Sequence, residues 1–176
     1  MRTRLSLASL LLLAGCATIP QVAPPPAPPA PVPTPAPPPP APPPAFGGDW
    51  RDWPVSPGTW AYRQDARGSI ALFGPAAADA EFTIRCDRLA RQLYLSRRGA
   101  TPGGMTIRTS TTARTLAAQP SGGTPAYMAA ALPVTDDLID AMGYSRGRFI
   151  VDTPPLRPLV IPAWAEVLRV VEDCRR

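Results

Sequence analysis

The alternation of apolar and polar positions is clearest in EFTIRCD. There Phe82, Ile84 and Cys86 fall on one face and Glu81, Thr83, Arg85 and Asp87 on the other, the pattern of a half-buried strand. Upstream, Trp60 to Gln64 and Ser69 to Phe73 read as two further strands, joined by a turn over Asp65 to Gly68. A partner strand around Gln92 to Ser96 follows EFTIRCD at hairpin distance. MTIRTSTTARTLAA continues in strand character through Met105, Ile107 and Leu116, its threonines favouring extended backbone. Ala126 to Leu132 fits either a strand or a short helix. Thr135 is placed to cap DDLIDAM, with Asp136 and Asp137 in the first turn, where the helix dipole favours negative charge, and with Gly143 as its end. RFIVDT and LRPLVI read as closing strands separated by Pro154 and Pro155. In the last segment, AWAEVLRVVEDCRR, Trp164, Val167, Leu168, Val171 and Cys174 share one face at helical spacing. The expected fold class is α+β: mostly antiparallel β, with a short internal helix and a C-terminal helix.

The front of the chain has a different texture. Arg2 and Arg4 precede an apolar run from Leu5 to Ala14, the charge-then-apolar order of an export signal, and ten such positions are too few to span a bilayer. From Pro24 to Pro44, 15 of 21 residues are proline. Proline fixes its own φ and drives its predecessor toward extended geometry, so this segment is expected to be a disordered polyproline II spacer reaching roughly 65 Å. Its PxxP spacings also suit a proline-reading domain. Three segments follow: a signal peptide at 1–15, an N-terminal linker at 16–45 and a folded domain at 46–176. A domain of roughly 131 residues can bury about two thirds of its unfolded surface in one core.

Leu13-Ala14-Gly15-Cys16 resembles the lipobox of bacterial lipoproteins. That resemblance implies cleavage before Cys16 and a diacylglycerol on its thiol, with acyl chains of the palmitate type and a third on its amine. Ala17 in place of aspartate implies sorting to the outer membrane, with the domain facing the periplasm. Two or three acyl chains, at about 0.8 kcal/mol per buried methylene, make a lasting anchor. The order of a cysteine-bearing strand, a second strand, an M-T-I-R-T-S strand and a cysteine-ended helix resembles small periplasmic β-rich domains of the invasion-associated and type VI secretion-associated kinds. It also resembles uncharacterised alphaproteobacterial lipoprotein domains, which imply no activity.

Composition narrows the chemistry. All 18 basic residues are arginine, and histidine is absent, which removes Ser-His-Asp and Cys-His mechanisms and the usual zinc ligand. Discounting Arg2 and Arg4 leaves 16 arginines against 13 acidic residues, too small and scattered an excess for a nucleic-acid partner. In an oxidising compartment, Cys86 and Cys174, both on core-facing positions, predict a disulfide in preference to two buried thiols or a metal site.

Asp136, Asp137 and Asp140 lie close in sequence, as a carboxylate hydrolase would need, but their place at a helix start explains them as caps. Arg97 and Arg98 in LSRRG, and Arg146 and Arg148 in SRGRF, read as compact basic turns able to fork a carboxylate or phosphate. Gly103-Gly104 and Gly122-Gly123 read as turns and not as phosphate loops. The expectation is a non-enzymatic binding or scaffolding module with no catalytic residues, cofactor or metal. Its partner would be an envelope protein or peptidoglycan, and its membrane contact would run through the lipid. An envelope hydrolase of the glycosidase kind and an enzyme inhibitor are the alternatives.

Overall fold

The computed structural model describes residues 46–176; Cys16, the signal segment and the proline run lie outside the described residues. A 3-10 turn at Trp50–Asp52 precedes β1 (Thr59–Asp65), β2 (Gly68–Gly74), β3 (Phe82–Asp87), β4 (Gln92–Arg98), β5 (Gly103–Arg108), β6 (Ala113–Pro120) and β7 (Tyr127–Pro133). Then come α1 (Asp137–Gly143), β8 (Arg148–Asp152), β9 (Leu159–Pro162) and α2 (Ala165–Arg175). The strands form one antiparallel sheet in the order β1-β2-β3-β4-β7-β6-β5-β8-β9. The sheet curls until β9 meets the residues leading into β1. Ser56 N–H donates to the Val160 carbonyl at 2.9 Å, and the Trp60 indole N–H donates to the Pro162 carbonyl at 2.9 Å.

Local chemistry sets the hairpins. Asp65 Oδ1 accepts from the backbone N–H groups of Arg67 and Gly68 and closes the β1–β2 turn. Asp87 Oδ1 does the same for Ala90 in the β3–β4 turn. MTIRTSTTARTLAA is two strands where one was expected. Thr109 N–H donates to the Thr112 carbonyl, and Thr109 Oγ1 accepts from the N–H groups of Thr111 and Thr112, turning the chain between β5 and β6. Residues 126–132, ambiguous in sequence, contribute to a strand because β4 offers a seven-residue register from Gln92↔Pro133 to Arg98↔Tyr127. The ladder between β6 and β7 is only two pairs long, Gln119↔Ala129 and Pro120↔Met128, because the rest of β6 turns away to pair with β5.

The alternating faces meet in one core. Phe73, Phe82, Ile84, Cys86, Leu93, Leu95, Met105, Ile107, Phe149 and Ile161 are fully buried. Phe82 touches both Trp60 and Phe149 through tilted or edge-on rings, with centroids 6.4 and 6.2 Å apart. Helix α2 lays Val167, Val170, Val171 and Cys174 onto this core, packing on β1 to β4. Cys174 joins Cys86 in the expected disulfide, with Cα atoms 5.4 Å apart and a sequence separation of 88.

Three sequence expectations are corrected here. The N-cap of α1 is Asp136, whose side chain accepts from Leu138 N–H, and not Thr135, which is exposed one residue too early. Trp164 is the N-cap residue of α2 and half exposed, Leu168 is only part-buried, and Val170, outside the face expected from the sequence, is buried in their place. Gly103 and Gly104 begin β5, whereas Gly122 and Gly123 do lie in a loop.

Candidate functional site

The pleat that sends Ile84 and Leu95 inward sends their neighbours out. On that outer face Leu72, Thr83, Ser96, Ala129 and Gln119 stand in one cross-strand row, and Ile70, Arg85, Tyr94 and Ala131 in the next. Small side chains over β4, β7 and β6 leave an open cleft of about 650 Å³, in which Tyr94 is the one aromatic wall. Its hydroxyl donates to Gln92 Oε1 at 2.7 Å.

Ion pairs edge the cleft. Arg85 forks Asp65 through two terminal nitrogens at 2.8 and 3.1 Å, and Arg67 grips Asp87 at 2.7 Å. The Arg85 hydrogen bond, aided by the turn N–H groups, lowers the Asp65 pKa to about 2. For Asp87, the Ala90 N–H and then Arg67 hold the carboxyl below its usual range.

The arginines singled out in sequence do not share a place. Arg97 and Arg98 end strand β4 and form no turn, because the β4–β7 ladder extends through both. Arg97 continues the inward series Leu93, Leu95, is buried, and donates to the Glu81 carbonyl and carboxylate at 3.0 and 2.5 Å. Arg98 pairs with the other Glu81 oxygen. The SRGR turn is real. Ser145 Oγ donates to the Arg148 carbonyl and accepts from Ser110 N–H, and Gly147 takes φ +77°. Arg146 faces solvent there, whereas Arg148 donates to the Trp53 carbonyl.

Two of the three helix carboxylates have structural partners, and Asp137 is exposed. Asp136 caps α1 and pairs with Arg114, and Asp140 is forked by Arg175 with both contacts at 2.9 Å. Two other carboxylates, Asp65 and Asp173, line one cavity of about 380 Å³. Burial pushes Asp173 up, but the Tyr62 hydroxyl and nearby Arg176 and Arg169 more than offset it, so its pKa is lowered. Neither acid of that pair is tuned to donate a proton near neutral pH. Among the described residues no three Cys, His, Asp or Glu side chains gather as metal ligands, and no helix is long and apolar enough to cross a membrane.

Comparison with protein-family models, with curated proteins and with solved structures finds no match in any of the three.

Proposed function

We propose that this protein is a lipid-anchored outer-membrane module whose periplasmic domain binds an envelope partner without chemistry of its own. The cleft over β4, β7 and β6 carries the reading. It is open, its floor is small and half polar, and Tyr94, Arg85, Arg67 and Gln119 offer ring-stacking and hydrogen-bonding groups around it. These features suit the polar and ring-bearing surface of peptidoglycan better than they suit a buried reaction centre. The disulfide supports export to an oxidising compartment. The carboxylate-hydrolase alternative is weakened by the lowered pKa of both Asp65 and Asp173.

Sedimentation with purified peptidoglycan sacculi tests the binding reading. The chain should co-sediment, and Tyr94→Ala should weaken this by about tenfold, as for a central aromatic contact. The double variant Arg146→Ala/Arg148→Ala should sediment like the parent. Loss in that variant but not in Tyr94→Ala would move the site to the SRGR turn, and failure of the parent to sediment would remove peptidoglycan as the partner. The anchor is tested separately: Cys16→Ser should leave the membrane fraction, and the mature N-terminus should carry labelled fatty acid.

A further inference from the structure

One end of the curled sheet carries charge and apolar surface that neither the core nor the outer cleft uses. Antiparallel register brings the turns after Asp87 and Arg108, the exit of β7 at Pro133 and the start of β8 at Arg148 to that end. Helix α2 runs across it, from Pro162 to the disulfide at Cys86. At one corner Ser110 N–H donates to Ser145 Oγ at 3.0 Å and Ala163 N–H donates to the Gly147 carbonyl at 3.2 Å. These bonds join the β5–β6 turn, the SRGR turn and the start of α2. Tyr144, 74% exposed, and Trp164, 50% exposed, share that corner, because Gly143 lies so close to Leu168, one helical turn beyond Trp164, that a Cβ there would collide with it. At the other end of α2, 11 residues and so about 16 Å along, the β3–β4 turn presents Leu89, 95% exposed.

Charge is distributed in the same way. Arg88, Arg91, Arg108 and Arg146 are exposed at this end, and among the described residues none of their guanidiniums meets a carboxylate. The acids here are mostly committed: Asp65 to Arg85, Asp87 to Arg67, Asp136 to Arg114, Asp140 to Arg175 and Glu172 to Arg176. Asp173 accepts from the Tyr62 hydroxyl, and Arg169 is stacked over the same ring. Asp137 and Glu166 are the side-chain carboxylates left over, so guanidiniums remain in excess.

We infer that this end of the domain is a membrane-binding surface that lies on a bilayer containing anionic phospholipid. A single exposed leucine is ordinary, but a tryptophan, a tyrosine and a leucine set among unpaired arginines are what a bilayer interface attracts. Their rings and alkyl tip would enter the headgroup boundary, and the guanidiniums would fork lipid phosphates. The groups stand on separate turns across a broad end and do not line a concavity, which suits an extended surface better than a peptide or a glycan strand. The inference goes beyond the outer cleft and the acyl anchor, and uses neither Tyr94 nor Cys16.

The test is flotation with vesicles of equal parts phosphatidylcholine and phosphatidylglycerol, against phosphatidylcholine alone. The full chain carries Cys16→Ser, so that no acyl chain of its own inserts, and every variant is compared in that background, so any contribution of residues 1–15 cancels. Anionic vesicles should bind at least about tenfold more tightly than neutral ones. Arg88→Gln/Arg91→Gln should weaken this by about 25-fold, or about fivefold per arginine. Leu89→Ser, at a position that packs on nothing, should weaken it by about fivefold. Arg63→Gln, an exposed arginine on β1 away from this end, and Tyr94→Ala in the outer cleft should bind vesicles like the parent. No vesicle binding, equal binding to both compositions, full affinity in Arg88→Gln/Arg91→Gln, or an equal loss in Arg63→Gln would each overturn the assignment. Loss of peptidoglycan sedimentation in Arg88→Gln/Arg91→Gln with no vesicle binding by the parent would give this end to peptidoglycan instead.

Discussion

Gly68 lies directly beneath Cys86: a Cβ built on Gly68 would stand 2.7 Å from the Cys86 carbonyl oxygen and 3.2 Å from its sulfur. Gly68 also takes φ +147°, a region that side chains rarely enter. The glycine lets β2 pass close against the half-cystine that fixes α2 to the sheet. Gly68→Ala should therefore destabilise the domain by about 2–4 kcal/mol, combining backbone strain with overpacking. Urea unfolding would measure it, and a change below about 0.5 kcal/mol, the scale of an ordinary surface substitution, would count against the close approach.

Removing the covalent link should cost about 2–5 kcal/mol, given the length of chain it closes, and lower the melting temperature by roughly 8–20 °C. The double variant Cys86→Ala/Cys174→Ala, compared by calorimetry with the oxidised parent, provides the measurement. Reduction of the parent should shift its transition in the same direction.

The cap of α1 can be resolved by two neighbouring substitutions. Asp136→Ala removes the acceptor of Leu138 N–H and the partner of Arg114, and should cost about 1–2 kcal/mol. Thr135→Ala should fall within about 0.5 kcal/mol of the parent, as an exposed position with no capping role. The reverse ranking would restore Thr135 as the cap.

Acid should weaken the fold partly through Asp65. Its pKa is lowered from an ordinary 3.8 to about 2, chiefly by Arg85. A depressed folded pKa means a contribution fully present above pH 4 and lost as pH falls through 2. Urea midpoints taken from pH 5 to 2 should decline, and the decline should be shallower in Asp65→Asn. Parallel curves for the two proteins would show that this carboxylate plays no part.

Much of this architecture was legible because period-two patterning and turn residues agree with each other. Phe82, Ile84 and Cys86 alternate cleanly, and Asp-containing turns flank β1 to β4, so local and tertiary signals coincide. The β5–β6 hairpin was not legible, since a turn made by Thr109 hydrogen-bonding its own backbone is spelled with the same threonines that favour strands. The alanines of β7 carry helix propensity, and only pairing with β4 decides their state. Arg97 was misplaced for a different reason. Two adjacent arginines before a glycine suggest a solvated turn, yet QLYLSRR puts Arg97 on the same face as Leu93 and Leu95, a signal that would have exposed it. The outer cleft had no sequence signature, because it depends on which strands become neighbours.

The position of the two paired cysteines also governs how the domain answers force. A load entering from the N-terminal side meets β1 and β2 first, and can peel residues only as far as Cys86. The stretch from Cys86 to Cys174, with a sequence separation of 88, is a covalent ring that tension between the two ends of the domain cannot lengthen. A protease cut in the exposed loop at Gly122-Gly123 would likewise leave the two pieces joined. Under tension between the two ends of the domain the extensible lead is thus β1, β2 and the part of β3 before Cys86, and the ring behind the disulfide stays out of the load path.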